Sequence, residues 1–244
     1  MRKSFGGVSA VAGVDLAIGR GEILGLVGPN GAGKTTLFNC ISGQERHDGG
    51  TIQFKGTSLD GLPTYKRARL GIGRTYQRVE VFPDLTVEDH LIVAERARHG
   101  DGRLWKDLCA RSAPRPQELD NVIQVLELVD LVELRHTPVS ALGLGMCRLV
   151  ELARALIRRP DLLMADEPSS GLDVHETREL ANVLRTLQRE RGMAVLLVEH
   201  DLGMVSEVVD RTIVMDLGQV IASGTFDEVM ANSDVRRAYL GVAT

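Results

Sequence analysis

A chain of 244 residues that is 43% hydrophobic and 25% charged can bury one sizeable core and has the make-up of an ordinary globular protein. Its net charge of −4 gives no basic bias towards nucleic acid. No apolar run approaches the ~18 residues of a membrane span, and the first ten residues lack the apolar core of a secretion signal.

Residues 8–18 alternate loosely and predict a strand, and the chain before Phe5 is too short to suggest an earlier one. Residues 19–21 (GRG) turn into an apolar, buried strand over 22–27. Then comes Gly28-Pro29-Asn30-Gly31-Ala32-Gly33-Lys34-Thr35, followed by Thr36 and a helical pattern to residue 42. This fits the phosphate-binding pattern G-x-x-x-x-G-K-[ST] between a strand and a helix, the context that confirms it. Glycines without Cβ let the backbone curl and offer its N–H groups to phosphate, and the helix aims its positive end at the same point. Lys34 supplies a point charge, and the Thr35 hydroxyl can ligate Mg²⁺. Cys40 on this helix reads as a packing residue.

Residues 49–56 predict a short strand, 62–70 a short helix opened by Pro63, and 71–77 a strand ending on Gln77. Thr86 to Asp89 has the form of a capping box with Asp in the Glu place. Residues 99–116, which include Trp105, are polar, carry Gly and Pro, and read as loop. Val122, Val125, Leu126, Val129 and Val132 line one face of a helix over 119–132. Residues 81 to about 155 thus form a helical insert in an α/β chain. A helix over 146–158 leads to a short apolar strand at 162–165 that runs into Asp166 and Glu167. A helix over 175–190 and a buried strand over 194–198 follow, ending at Glu199-His200. Residues 213–215 and 220–222 suggest a hairpin, with a helix from Phe226. Cys40, Cys109 and Cys147 are odd in number, lack C-x-x-C spacing and read as reduced thiols. An acidic pair at the carboxyl end of a strand sits where open α/β sheets bind ligands. There Asp166 would join a Mg²⁺ shell, and Glu167 would orient or deprotonate water.

With these residues in hand, the chain resembles the ATP-binding subunit of ABC transporters from Phe5 to Leu240. Gly28 to Thr35 is similar to Walker A, residues 162–167 to Walker B with its catalytic Glu167, and Ser170-Gly-Leu-Asp173 to the D-loop. Likewise His200 resembles the switch histidine, Gln77 the glutamine that ligates Mg²⁺, and Phe5 the aromatic that stacks on adenine. Phe5-Gly-Gly, residues 151–154 and the ending at 238–241 look most like the branched-chain amino acid importers. The lipopolysaccharide exporter's cassette has a similar tail. A soluble ABC-type ATPase would keep the fold without transport. The resemblance implies a single P-loop nucleotidase domain over 1–244. Its mixed-sheet core spans 1–80 and 156–244, with a small antiparallel β part and a helical subdomain at 81–155. It implies ATP and Mg²⁺ as cofactors, Lys34, Glu167 and His200 in catalysis, and Thr35, Gln77 and Asp166 on the metal. The implied partners are a second cassette, transmembrane permease subunits and, indirectly, a solute-binding protein, with no nucleic acid. The implied location is peripheral, on the cytoplasmic face of the inner or plasma membrane.

One motif departs from the family. The signature Leu-Ser-Gly-Gly-Gln stands here as Leu142-Gly-Leu-Gly-Met146. Gly143 lacks the hydroxyl that the family's Ser lends to ATP on the partner cassette, while the Gly143 and Gly145 amides and a helix N-terminus remain. Asp173 is expected to contact the partner chain. The resemblance therefore implies that the partner site this chain completes is weakened and not abolished.

Overall fold

The computed structural model describes residues 1–75, 82, 84–99 and 114–240; Gln77, Trp105 and Cys109 lie outside the described residues. In chain order the strands are β1 (Arg2–Phe5), β2 (Val8–Ala12), β3 (Ile23–Val27), β4 (Gln53–Phe54) and β5 (Thr57–Ser58). They continue as β6 (Ile72–Arg74), β7 (Leu162–Asp166), β8 (Ala194–Val198), β9 (Arg211–Asp216) and β10 (Gln219–Gly224). The helices are α1 (Lys34–Ser42), α2 (Thr64–Arg69), α3 (Val87–His99), α4 (Pro116–Leu128), α5 (Leu144–Leu156) and α6 (Val174–Arg191). Three short ones close the chain: α7 (Leu202–Val208), α8 (Phe226–Ala231) and α9 (Ser233–Leu240).

A six-stranded sheet of order β10-β9-β3-β8-β7-β6 carries the molecule. Strands β9, β3, β8, β7 and β6 are mutually parallel, and β10 closes the edge as an antiparallel hairpin with β9. Every residue of β3, β7 and β8 is buried. That explains their unbroken apolar sequence: parallel strands covered on both faces have no solvent side to alternate with. One core on one face joins α3, α4, α5, α6 and α7 to the sheet through Leu91, Leu126, Leu156, Leu163, Leu184 and Leu197. The other face holds α1 and the N-terminal hairpin around Phe38, Leu24, Leu26, Met164 and Leu196. Burying Phe38 completely contributes about 1.5–3 kcal/mol.

Several sequence expectations are corrected. The strand expected over 8–18 stops at Ala12, because Gly13 turns the chain at φ +103° and Val14 donates to the Met1 carbonyl at 3.0 Å. An earlier strand does exist: Arg2–Phe5 pairs antiparallel with Val8–Ala12. Residues 49–56 form no single strand. Lys55 (φ +49°) and Gly56 (φ +76°) make a two-residue turn between β4 and β5, as left-handed central residues do in tight hairpins. Helix α4 starts at Pro116 and not at residue 119, since Pro is pre-set for the first helical turn. Helix α5 starts at Leu144, two residues before the expected start. The Thr86 capping box is present: Asp89 N–H donates to Thr86 Oγ1 at 3.1 Å, and Thr86 N–H reaches back to Asp89 Oδ2 at 3.3 Å.

Candidate functional site

Three adjacent strands end together. β3 runs into residues 28–35, β7 into Asp166 and Glu167, and its neighbour β8 into Glu199 and His200. Stretches that begin at residues 28, 166 and 199 therefore meet at one carboxyl edge of the sheet, where parallel α/β sheets bind ligands.

The loop at 28–35 is shaped by glycine. Gly28, Gly31 and Gly33 have φ of +146°, +81° and +97°. A Cβ on Gly28 would stand 2.1 Å from the Met215 carbonyl, and one on Gly33 would stand 2.1 Å from the Ala10 carbonyl. The loop is also braced from outside, because Gly218 N–H donates to Ala32 O at 3.0 Å. Lys34 Nζ donates to Gly28 O at 2.6 Å and Pro29 O at 3.0 Å, which places the ammonium inside the loop. Burial lowers its pKa, and the nearby Glu167 and Asp166 carboxylates oppose that shift. Thr35, the second residue of α1, is exposed, Thr36 is half-buried, and Asn30 is exposed. Cys40 is fully buried, as expected of a packing residue, and burial pushes its thiol up.

Across the loop stand the two acids. Asp166 is buried, and burial raises its pKa against the pull of the Arg74 guanidinium, whose Nη2 lies 3.9 Å from Oδ2. Glu167 has φ +49°, an uncommon left-handed conformation for a non-glycine residue. Such strain costs about 1–3 kcal/mol and persists where the surroundings over-determine it. Here Glu167 N–H donates to Val198 O at 2.8 Å and the Glu167 carbonyl accepts from Ser170 N–H at 3.1 Å. Its side chain reaches the switch position: His200 Nε2 lies 2.6 Å from Glu167 Oε1.

The remaining candidates are more scattered. Phe5 lies on the exposed hairpin, with Lys3 Nζ 4.7 Å from its ring centroid. Gly143 is the exposed N-cap of α5, with extended backbone (φ −69°, ψ 166°) and no side-chain cap. Gly145 is buried, and a Cβ there would meet Glu176 Oε1 at 2.5 Å. Asp173 caps α6 within the same chain, its Oδ1 accepting Glu176 N–H at 2.9 Å. Leu144, which stands where the signature has glycine, is 44% exposed and leans over Gly171 in the segment before α6.

Sequence reasoning missed Arg74 and Glu199. Arg74 stacks 4.7 Å from the Phe38 centroid and donates to Asn39 and Ser42, tying β6 to α1 beside Asp166. The available signal was a basic residue ending an otherwise apolar strand. Glu199 is 2% exposed, and the signal was a carboxylate directly after the unbroken apolar run of β8. A link to the chain's far end was also unforeseen. Burial raises the Tyr239 hydroxyl pKa, with the Gly28 amide pulling it down.

Comparisons with known proteins agree with this geometry. A family model described as ABC transporter matches residues 11–170, and one described as branched-chain amino acid ATP-binding cassette transporter matches 219–244. The high-affinity branched-chain amino acid transport ATP-binding protein LivG of Salmonella typhimurium is 40% identical over 242 residues, 98% of this chain and 94% of its own. BraF of Pseudomonas aeruginosa, described in the same words, is 38% identical with the same coverage. A crystal structure of the ADP conformation of an ATP-binding cassette of an ABC transporter superposes with TM-score 0.88 at 29% identity. It covers 98% of this chain and 96% of that one.

Proposed function

This chain belongs to the ABC transporter ATP-binding family, and from that membership we propose that it powers a membrane importer of branched-chain amino acids or related small polar solutes. The observation that carries the catalytic part is the convergence of Lys34, Asp166, Glu167 and His200 at the ends of three neighbouring strands.

The loop amides and the Lys34 ammonium bind the triphosphate, exchanging contacts with Gly28 O and Pro29 O for phosphate oxygens. The exposed Thr35 hydroxyl and the buried Asp166 carboxylate are hard oxygen donors suited to Mg²⁺, with Gln77 as a third ligand. Held by these residues, Mg²⁺ would supply positive charge that offsets that of the triphosphate. Glu167 orients the attacking water and accepts its proton, while His200, within hydrogen-bond reach of Glu167, senses the γ-phosphate. Phe5 stacks on the adenine. A second cassette, identical or paralogous, closes over the nucleotide with its own signature turn, and Asp173 lies at that contact.

Residues 81–155 act as the helical subdomain that moves against core segments 1–80 and 156–244 when the cassettes close. Between them opens a cleft of about 310 Å³ lined by Arg67, Arg74, Arg154 and Glu151 on its polar side and Phe82 and Val93 on its apolar side. Among the described residues no helix is long and apolar enough to cross a membrane. The proposed place is therefore peripheral, held at the cytoplasmic face by the permease subunits, with a solute-binding protein feeding the far side. The test is reconstitution with those subunits in vesicles. ATP-dependent leucine uptake that vanishes without this chain supports the reading. Uptake that is indifferent to the chain, or to ATP, overturns it.

A further inference from the structure

The carboxylate of Glu199 sits at the end of a fully buried strand and is itself 2% exposed. A charge taken out of water is costly unless hydrogen-bonded. No ion pair to Glu199 occurs among the described residues, and its donors are main-chain amides together with the Ser169 hydroxyl. One oxygen, Oε1, accepts Ser169 N–H at 2.8 Å. The other, Oε2, accepts His200 N–H at 3.0 Å and faces Asp201 N–H at 3.5 Å. Burial pushes this carboxyl up, and the Ser169 amide and hydroxyl with the His200 and Asp201 amides pull it down.

The two oxygens therefore hold two different segments. Ser169 lies just after Glu167 and before the turn to α6, while His200 opens the loop after β8. A second bridge runs between the same segments, from Glu167 N–H to Val198 O at 2.8 Å, but it is entirely main chain. The His200–Glu167 contact joins the two side chains themselves, while Glu199 joins the backbones that carry them. The segment beyond Ser169 is in turn packed against the start of α5: Arg148 Nη2 donates to Ser170 O at 3.3 Å, and Leu144 covers Gly171.

We propose that Glu199 is a positioning residue for ATP hydrolysis, which transmits the placement of residues 169–173 to the His200–Glu167 pair. This rests on the catalytic reading above. A movement of residues 169–173, which face the second cassette, shifts Ser169 N–H and draws the carboxylate with it. The His200 backbone follows, because the same carboxylate holds it. Both oxygens must accept for this to work. Glutamine offers one acceptor and turns an NH₂ donor towards an amide N–H, so it releases one of the two segments.

The experiment uses the assembled transporter with Mg-ATP. In Glu199→Gln, kcat falls about ten- to a hundredfold, as small misplacements of catalytic groups cost. KM for ATP stays within about twofold, since the phosphate loop is untouched. Because the effect passes through His200, adding Glu199→Gln to His200→Ala lowers the residual rate by less than about twofold. Hydrogen exchange quickens at the Ser169 and His200 amides and is unchanged in α4. An unchanged kcat overturns the proposal. So do losses that multiply in the double variant, or a KM that rises in step with the fall in kcat. Should Glu199→Gln fail to fold, Glu199→Asp, which keeps the charge but shortens its reach, is read by the same kcat–KM split. If the wild-type complex hydrolyses no ATP, the catalytic reading fails. The linkage itself is then still judged by exchange at Ser169 and His200.

Discussion

Replacing Gly143 with serine restores the hydroxyl that this chain's signature lacks, and the structure sets the size of two separate effects. Gly143 is the N-cap of α5 in extended backbone, and a Cβ there meets nothing within 4 Å. The added side chain enters open space and can accept the Met146 N–H, the third amide of the helix. Serine over glycine at an N-cap is worth a few tenths of a kcal/mol. The stiffer unfolded chain adds about 0.4–1 kcal/mol. At 2–4 °C per kcal/mol for a domain of this size, Tm of the isolated chain rises by about 1–6 °C. A hydroxyl that accepts from Met146 can still donate its proton to the γ-phosphate on the partner cassette. A hydrogen bond to a charged group contributes about 1.5–3 kcal/mol, so turnover in the assembled complex rises about tenfold at the lower end of that range. Differential scanning calorimetry reads the first effect and phosphate release reads the second. An unchanged Tm refutes the cap geometry. A raised Tm with unchanged or slower turnover refutes the idea that the missing hydroxyl limits the composite site.

Three further outcomes follow from the same contacts. Asp166→Asn removes a buried carboxylate whose folded pKa is raised by burial. The stability this group contributes is present below its unfolded pKa and lost as pH rises through the higher folded value. The variant therefore melts higher than wild type at pH 7.5, by less at pH 4, and loses Mg²⁺-dependent hydrolysis; a lower melting point at pH 7.5 contradicts the burial argument. Gly28→Ala drives a Cβ to 2.1 Å from the Met215 carbonyl, so affinity for a non-hydrolysable ATP analogue measured by calorimetry falls at least about tenfold. Wild-type affinity would show that the loop relaxes freely. Arg67 is buried and donates to the Cys40, Ile41 and Leu62 carbonyls, closing the end of α1. Arg67→Met leaves those carbonyls unpaired, costs about 2–4 kcal/mol and lowers Tm by about 4–16 °C; a shift under 2 °C in a thermal melt counts against this.

The apolar runs that became β3, β7 and β8 were legible because parallel strands buried on both faces leave a continuous signature. Gly28 to Thr35 was legible because a phosphate loop needs its glycines at fixed places, and the φ values of Gly28, Gly31 and Gly33 bear out that reason. The N-terminal hairpin was not legible. Arg2–Phe5 is mostly exposed and is held by pairing with β2 and by Gly49, partners that no local pattern reveals. The turn at Lys55-Gly56 was missed because a lysine with φ above zero has no signature in composition. In the site, the types of Lys34, Asp166, Glu167 and His200 could be read from spacing and resemblance. The backbone strain at Glu167 and the bridging by Glu199 could not, because both depend on strands far apart in the chain lying side by side.

Glu167→Gln in the assembled transporter tests the central assignment most directly. The amide keeps the side chain's size and removes the base. With Mg-ATP, the account predicts nucleotide retained at wild-type affinity, the two cassettes held closed and phosphate release reduced at least about a hundredfold. Phosphate release at the wild-type rate would contradict it.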